Sequence, residues 1–522
     1  MGLIKKYLQT ASQKKFTLPW LLALIAATYV GAYFFDLRTP SFHSGYLGWW
    51  GWFDQGQYLK SANALLSQDL TPSLHFYPPL YSALGSVFLK FTEAHPFFLI
   101  NLVCLLWFSF VFIRVCDCYI ARWQGALILL GSTIFNYTIF ENFVIPWTTT
   151  LGTALLSTGI LGLVWIQDLI KGKRLKISTY ETFFVAFSLS LLIPTRPVDA
   201  PIGFILGIAY LIGYWHVRSF SPKSTPSPVR FLPALIAGAL IGPLVFFLFN
   251  KLVYGDFLGS YMRAANGNGF FFADFLEKFV SIWLDSKTLY GESGASLTEH
   301  FPWLLISFAG YFWICLRGDF LLRVIAIAIG AMLILYLPYG DLLPTGVFRY
   351  MNIHYFKWSF PYLALFGWIL IMQVLNNFQD KANWIFPSSV LVLAPLVMMT
   401  LHITTYLKPL PFELTYMRSI VFKLPNEKID FIDIKGISGG FLDIYFGGHK
   451  VLLDGHELAI NKDFRLLPQS SDTRLLFIRP LKGEVVEFTP DPKLNLDEPE
   501  MLATLGNYEF SFGRLNLLLF KK

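Results

Sequence analysis

Residues 18–35 read LPWLLALIAATYVGAYFF, a run of eighteen residues without a charged side chain. The hydrocarbon core of a bilayer is about 30 Å thick, and a helix needs about 20 apolar residues to cross it. This run therefore predicts a membrane-spanning helix. The basic residues before it resemble the start of a signal peptide, but no small-residue cleavage site follows, which favours a retained anchor. They are Lys5, Lys6, Lys14 and Lys15.

The composition extends this prediction to the whole chain. Of 522 residues, 55% are hydrophobic and 14% are charged, and the mean hydropathy is +0.52. Soluble domains carry about 25% charged residues, so this chain cannot cover several soluble domains with a charged surface. The same figures exclude a disordered chain and a nucleic-acid-binding protein, and four cysteines are too few for a disulfide framework.

Further apolar runs divide the first 402 residues into spans. With residues 18–35 they predict a polytopic α-helical membrane protein of about 11 transmembrane helices, some of them broken near Pro194 and Pro201. The runs lie at residues 97–113, 123–140, 147–166, 180–194, 202–215, 231–249, 301–316, 324–338, 358–372 and 385–402.

Basic residues indicate how these helices are oriented. They concentrate in segments on the N-terminal side of the membrane, such as the cluster of Lys171, Lys173, Arg174 and Lys176. Cytoplasmic loops are the ones rich in Lys and Arg, so we expect a cytoplasmic N-terminus in an inner (plasma) membrane. The two long loops, 36–96 and 250–300, are then extracytoplasmic, and most of the carboxylates before residue 403 lie on that side. The functional face is predicted to be periplasmic.

The C-terminal residues 403–522 differ from the membrane domain, residues 1–402. They contain no run long enough to cross a membrane, and short alternating stretches lie between Gly, Pro and Asp turns, as is typical of strands. These stretches are 428–434, 441–446, 475–478 and 508–512. We expect a β-rich extracytoplasmic domain.

The first outer loop carries the most informative motif. It reads GWFDQGQY at residues 51–58 and YPPLY at residues 77–81. The spacing of its apolar residues predicts two helices on the membrane surface, at 55–67 and 80–91, and the prolines suit a first helical turn. Asp54 then lies at the start of the first helix. It either caps that helix or has a chemical task, because a carboxylate at headgroup depth is costly.

Short motifs follow this loop in a recognisable order. They are Thr195-Arg196-Pro197, Tyr254-Gly255-Asp256-Phe257, Arg349-Tyr350 and Phe360-Pro361-Tyr362-Leu363. Together with the early acid and the Tyr-Pro-Pro-Leu segment, over most of residues 18–375, they resemble the family C (GT-C) glycosyltransferases. These polytopic enzymes use polyprenyl-phosphate sugars, and they include protein O-mannosyltransferases and the lipid A aminoarabinose transferase. Gln55 is a departure, because many members have paired acids at this point.

The resemblance implies a membrane glycosyltransferase that moves a sugar, with inversion, from a polyprenyl-phosphate donor such as an undecaprenyl phosphate sugar. The acceptor would be an extracytoplasmic glycan, lipid or protein. Asp54 would be the general base for the acceptor hydroxyl, and cationic groups would hold the donor phosphate. The phosphate candidates are Arg349, Arg196 and Lys60. The candidates for acceptor contacts or supporting roles are Tyr58, His75, Tyr77, Glu141, Asp256 and His354.

The sequence does not decide whether such a site binds a metal ion, or what the C-terminal domain does. A divalent cation, Mg²⁺ or Mn²⁺, is the only cofactor considered, and Gln55 weakens the case for a two-carboxylate metal site. The C-terminal domain either binds the acceptor glycan, caps the site or stabilises the protein.

Other classes of polytopic protein compete with this interpretation. A transporter or flippase of polysaccharide or lipid-linked oligosaccharide also needs many spans, but such folds usually carry internal repeats and charges near the midplane, whereas the charges here cluster at the outer rim. An O-antigen ligase or polymerase would have its key residues in a large late outer loop. Here the late loop is short and the distinctive acid comes early.

Arg349 supplies a test that depends on the sequence alone. We expect Arg349→Ala to weaken donor binding more than acceptor binding, because a guanidinium matches phosphate oxygens in a bidentate way. Equilibrium binding of a polyprenyl-phosphate sugar to the purified variant would check this. An unchanged donor affinity would contradict the assignment.

Overall fold

The computed structural model of the protein describes most of the helical region and part of the C-terminal region. The described residues are 18–36, 39–40, 48–92, 95–268, 272, 275–284, 296–339, 353–379, 403–410, 414–416, 420–423, 429–435, 450–458, 463–468, 472–481, 485–489 and 503–512. The protein is mostly helical, and its strands all follow the helices along the chain.

Helices occupy every predicted apolar run up to 358–372, and the run at 385–402 lies outside the described residues. In chain order the helices are α1 (Leu18–Phe35), α2 (Phe53–Leu66), α3 (Pro79–Leu89), α4 (Phe98–Cys116), α5 (Arg122–Leu129), α6 (Tyr137–Val144), α7 (Thr148–Ile170), α8 (Thr179–Ser190), α9 (Leu192–Thr195), α10 (Ala200–Phe220), α11 (Pro228–Tyr254), α12 (Gly259–Asn268), α13 (Phe275–Phe279), α14 (Leu297–His300), α15 (Trp303–Arg317), α16 (Phe320–Tyr336) and α17 (Phe360–Gln379).

Five helices in the described part of the chain are long and apolar enough to cross a membrane. They are α1, α4, α7, α11, and α10 together with the turn before it, Pro197–Phe220. The shorter apolar helices are α3, α15, α16 and the first part of α17. A helical membrane protein is thus the architecture, while the predicted number of spans stays a prediction.

The helices differ sharply in how much of their surface is buried. Almost every residue of α7 is buried, so it forms the centre of the bundle. Along α10, by contrast, Phe204, Ile208 and Ile212 recur at helical spacing and are exposed by 69%, 41% and 55%. An exposed apolar stripe of this kind marks a helix face that contacts lipid.

The sequence predicted one span over 123–140, and this expectation needs correction. The helices α5 and α6 meet there at a bend of 79°, after a π-helical turn at Leu130–Ile134. Asn136 begins the second helix, because its side chain accepts a hydrogen bond from the backbone N–H of Ile139 (3.3 Å). An N-cap of this kind satisfies a free backbone donor at a helix start.

The break expected near Pro194 and Pro201 is confirmed. Helix α9 ends at Thr195, and Arg196 has an extended backbone (φ −159°, ψ 87°) before a short 3₁₀ turn at Pro197–Asp199 leads into α10. Proline disfavours the helical conformation of the residue before it. Pro197 therefore accounts for the break at Arg196.

The two helices predicted in the loop after the first span are present, as α2 and α3, and their position on the outer membrane surface stays a prediction. The N-cap of α2 is Trp52 rather than Asp54, and Asp54 lies within the first turn. The capping interpretation of Asp54 is therefore wrong, and its carboxylate is directed elsewhere.

Side-chain hydrogen bonds join neighbouring helices and loops near both ends of α7. Near its start, the amide of Gln55 in α2 donates to the carbonyl of Pro146 (3.0 Å). Near its end, Tyr119 and Gln167 both donate to the carboxylate of Asp319 (2.6 and 2.7 Å). Which end faces the outside stays a prediction.

The strands form two five-stranded antiparallel sheets. The sheet orders are β1-β10-β4-β8-β7 and β2-β3-β9-β5-β6. The predicted strands at 428–434, 475–478 and 508–512 fall in β4, β8 and β10, and the one at 441–446 lies outside the described residues. The strands are β1 (Ile403–Leu410), β2 (Leu414–Tyr416), β3 (Ile420–Lys423), β4 (Ile429–Lys435), β5 (Lys450–Leu453), β6 (His456–Glu457), β7 (Phe464–Pro468), β8 (Asp472–Leu481), β9 (Val485–Thr489) and β10 (Ala503–Phe512).

Helices α8 and α11 approach each other closely at two glycines. The hydroxyl of Ser190 donates to the carbonyl of Gly238 (2.9 Å) and accepts from the backbone N–H of Gly242 (3.1 Å). A Cβ atom at Gly242 would collide with the backbone carbonyl of Ser190. Small residues permit this kind of backbone contact between membrane helices.

Because of this contact, we expect any side chain at position 242 to destabilise the protein. We expect Gly242→Ala to lower stability by about 1–3 kcal/mol, as overpacking does in a well-packed core. A thermal melt of the purified protein in detergent would measure it. Gly31→Ala is the matched control in α1, where a Cβ atom meets nothing within 4 Å. Equal melting temperatures for the two variants would contradict the close contact.

Candidate functional site

Asp54 and Tyr77 form the centre of a cluster of aromatic side chains. The hydroxyl of Tyr77 donates a hydrogen bond to Oδ1 of Asp54. The ring of Tyr77 lies 4.8 Å from that of Tyr58 and 5.5 Å from that of Tyr261, measured between centroids. We call Tyr58, Tyr77 and Tyr261 the tyrosine cluster. It joins α2, the loop before α3, and α12.

The protonation of Tyr77 follows from its surroundings. Burial raises the pKa of Tyr77 well above its usual value, and the nearby Asp54 carboxylate raises it further. The phenol therefore keeps its proton and acts as the donor. The carboxylate of Asp54 is held as an acceptor, with its position fixed by a ring that is itself packed between two others.

Arg196 occupies the break between α9 and α10, where only 8% of its surface is exposed. Its Nε donates to the hydroxyl of Tyr336 (2.9 Å) and lies 3.4 Å from Oδ2 of Asp199. The hydroxyl of Tyr336 in turn donates to Oδ1 of Asp199. The guanidinium lies 4.6 Å from the ring centroid of Tyr355, within the range of a cation–π contact.

Asp54 and Arg196 belong to one electrostatic environment. The charges of both residues act on Tyr58 and on Tyr261. The extended backbone at Arg196 and the first turn of α2 thus bring a guanidinium and a carboxylate within electrostatic range of the same tyrosines. Asp54 and Arg196 are 142 positions apart in sequence, so local spacing did not reveal that they lie near the same tyrosines.

His354 lies beside this group in the segment that precedes α17. Its ring stacks on Trp147 at 4.0 Å and 8° between planes, and its Nδ1 is 3.1 Å from the hydroxyl of Thr149. Burial lowers the pKa of His354 well below its usual value, and the positive charges of Arg196 and Lys357 lower it further. The imidazole is therefore neutral.

Lys357 is a buried group that sequence reasoning missed. Its Nζ donates to the carbonyl of Asn142 (2.7 Å) and to the hydroxyl of Thr150 (2.6 Å), and it lies 4.6 Å from the ring centroid of Phe143. These contacts fasten the end of α6 to the start of α7. The sequence places Lys357 directly before an apolar run, which is also where a lysine at a membrane edge would stand.

Three predicted residues are not brought to the tyrosine cluster. Lys60 is exposed. His75 is buried between the hydroxyl of Ser61 (2.9 Å) and the carbonyl of Asp69 (2.8 Å), where it fastens the loop to α2. Asp256 accepts from the backbone N–H of Gly259 (2.8 Å) at the start of α12, and these backbone bonds lower its pKa.

Two more of the predicted site residues, Glu141 and Arg349, are not assigned to the tyrosine cluster. Glu141 is buried in α6, one residue before the carbonyl that Lys357 binds. Arg349 lies outside the described residues, so its predicted role stays a prediction.

The surroundings of Asp54 also explain why its neighbour is an amide. Gln55 is 1% exposed, and its Nε2 donates to the carbonyl of Pro146. A glutamate would present an acceptor to an acceptor at this position. Across the described ranges, no three His, Cys, Asp or Glu side chains gather in a way that could hold a metal ion.

Comparisons with known proteins give no further assignment, since no family model and no curated protein matches the chain.

The contact of Gln55 can be tested by a change of one functional group. We expect Gln55→Glu to lower the free energy of unfolding by about 1–3 kcal/mol, because a buried hydrogen bond is lost and a buried acceptor is left without a donor. Thermal melts with and without Mn²⁺ would measure the loss. The exposed Gln68→Glu is the matched control. A stable Gln55→Glu variant that gains stability from Mn²⁺ would contradict the structural role.

Proposed function

We propose that the protein is a GT-C-type glycosyltransferase of the cell envelope that uses a polyprenyl-phosphate sugar. The observation that carries the proposal is that the Asp54 carboxylate, which is hydrogen-bonded to Tyr77, and the Arg196 guanidinium both lie within electrostatic range of Tyr58 and Tyr261. An inverting transfer needs these two kinds of group, a base for the acceptor and a cation for the leaving phosphate.

Asp54 serves as the general base in this proposal. The acceptor hydroxyl oxygen attacks the anomeric carbon of the sugar, and its proton passes to the Asp54 carboxylate. The bond between the anomeric carbon and the phosphate oxygen breaks, and its electron pair leaves with the polyprenyl phosphate. A positioned carboxylate contributes roughly 10²–10⁴-fold to such a step. The hydrogen bond from Tyr77 keeps the carboxylate in one orientation.

Arg196 serves the leaving group. The departing phosphate is a weak base, so it needs stabilisation of its charge rather than a proton. A guanidinium matches phosphate oxygens in a bidentate way, and it acts strongly where water is largely excluded. Water is largely excluded from Arg196, since the residue is more than nine-tenths buried.

The setting in the membrane suits a donor with a long apolar tail. Exposed apolar faces on α10, which follows Arg196, and on α11, which ends at Tyr254, favour lipid beside the site. We propose that the tail lies among the apolar helices and the sugar faces the periplasm. The acceptor is an extracytoplasmic glycan, lipid or protein, and residues 403–522 form a periplasmic domain.

The test is a transfer assay on the purified protein with radiolabelled polyprenyl-phosphate sugars and membrane extract, with chelator in half of the samples. We expect Asp54→Asn to lose at least about 10²-fold in rate, because the amide cannot accept the proton, and to retain donor binding. Asp69→Asn is the matched control in the same loop, where the carboxylate is exposed and accepts from Thr71.

The assay has two decisive negative results. Full activity of Asp54→Asn would remove the proposed base. Failure of the wild-type protein to transfer any sugar of the panel would overturn the proposed function as a whole.

A further inference from the structure

Among the residues that the structure describes, the guanidinium of Arg196 is hydrogen-bonded through Nε alone. Its Nε meets Tyr336 and Asp199. Its terminal nitrogens, Nη1 and Nη2, have no hydrogen-bond partner among the described residues. A guanidinium has five N–H donors. Within the described part of the chain, four N–H groups of this side chain are thus left for a ligand.

The partners of Nε form a closed arrangement. Tyr336 accepts from Arg196 and donates to Oδ1 of Asp199, while Oδ2 of the same carboxylate lies 3.4 Å from Nε. Each donor in the triangle is matched to an acceptor. The triangle joins the last residue of α16 to the break before α10, so it fixes the guanidinium relative to two helices.

Aromatic rings fix the plane of the guanidinium as well. Tyr336 and Tyr355 stack on each other at 4.9 Å and 11° between planes. The guanidinium carbon lies 5.5 Å from the first ring centroid and 4.6 Å from the second. The tyrosine hydroxyl and the tyrosine ring therefore have separable roles, since removal of the hydroxyl leaves the stacked pair in place.

We propose that Tyr336, acting with Asp199, is a positioning residue that holds Nε of Arg196 so that Nη1 and Nη2 face a bound phosphate group. The inference deepens the proposed function and rests on it for the identity of the phosphate as that of a polyprenyl donor. The hydroxyl of Tyr336 does not touch the ligand. It decides the direction in which the guanidinium presents its two terminal nitrogens.

The test compares two tyrosine-to-phenylalanine variants. Tyr336→Phe removes the hydroxyl that bonds Arg196. Tyr362→Phe is the matched control, because Tyr362 is also fully buried and its hydroxyl has no hydrogen-bond partner in the described part of the chain. Each protein, with Arg196→Ala as reference, is reconstituted in phosphatidylcholine nanodiscs and titrated with polyprenyl phosphate.

We expect Tyr336→Phe to weaken binding of polyprenyl phosphate about tenfold, the factor that corresponds to one lost hydrogen bond to a charged group. Arg196→Ala should weaken it at least as much, and Tyr362→Phe should not change it. In the transfer assay the KM for the donor should rise in Tyr336→Phe while the KM for the acceptor stays constant. A merely structural role would lower the melting temperature without this difference between the two substrates.

The outcomes separate the two proposals. Wild-type affinity in Tyr336→Phe, or no effect of Arg196→Ala, would overturn the positioning role, as would a wild-type protein that binds no phosphate lipid. Phosphatidic acid forms a second arm of the titration. If it binds as tightly as polyprenyl phosphate and responds to the same variants, the positioning role stands and the assignment of a glycosyl donor fails.

Discussion

The structure depends on the cost of placing a positive charge inside a bundle of apolar helices. A buried charge is tolerated where it is paired and hydrogen-bonded. Arg196 meets this condition through groups from separate parts of the chain: the carboxylate of Asp199, the hydroxyl of Tyr336 and the ring of Tyr355. The pairing of this one charged side chain thus fixes the end of α16 and the segment before α17 against the break that leads into α10.

Breaks in helices also place polar groups inside the bundle that need hydrogen-bond partners. A continuous helix satisfies its own backbone groups, whereas a break leaves donors and acceptors that other groups must bind. At the end of α6 the free carbonyl of Asn142 receives the amine of Lys357, and the carbonyl of Pro146 receives the amide of Gln55. The irregular backbone therefore coincides with the buried polar side chains, at the same end of α7 as Asp54.

The sequence predicted the parts of this arrangement that depend on composition and local spacing. Apolar runs predicted the positions of most helices, and the motif around Asp54 predicted α2 and α3. The bend at Asn136 was not predicted, because the run 123–140 carries no charged side chain and the bend depends on a cap and a π-helical turn. The partners of Arg196 were not predictable either, since Tyr336 is distant in sequence and one tyrosine among 25 carries no mark of its role.

The connection between α6 and α7 lies between the helix that carries Asp54 and the residues around Arg196. Gln55 binds it from the helix that carries Asp54, one residue away. On its far side, Trp147 stacks on His354, which adjoins the Tyr355 ring beneath the Arg196 guanidinium. A shift of α2 relative to this connection would move Asp54 with respect to Arg196. The buried amide at position 55 therefore contributes to the site by fixing a distance, and this role requires a donor where a second carboxylate would have none.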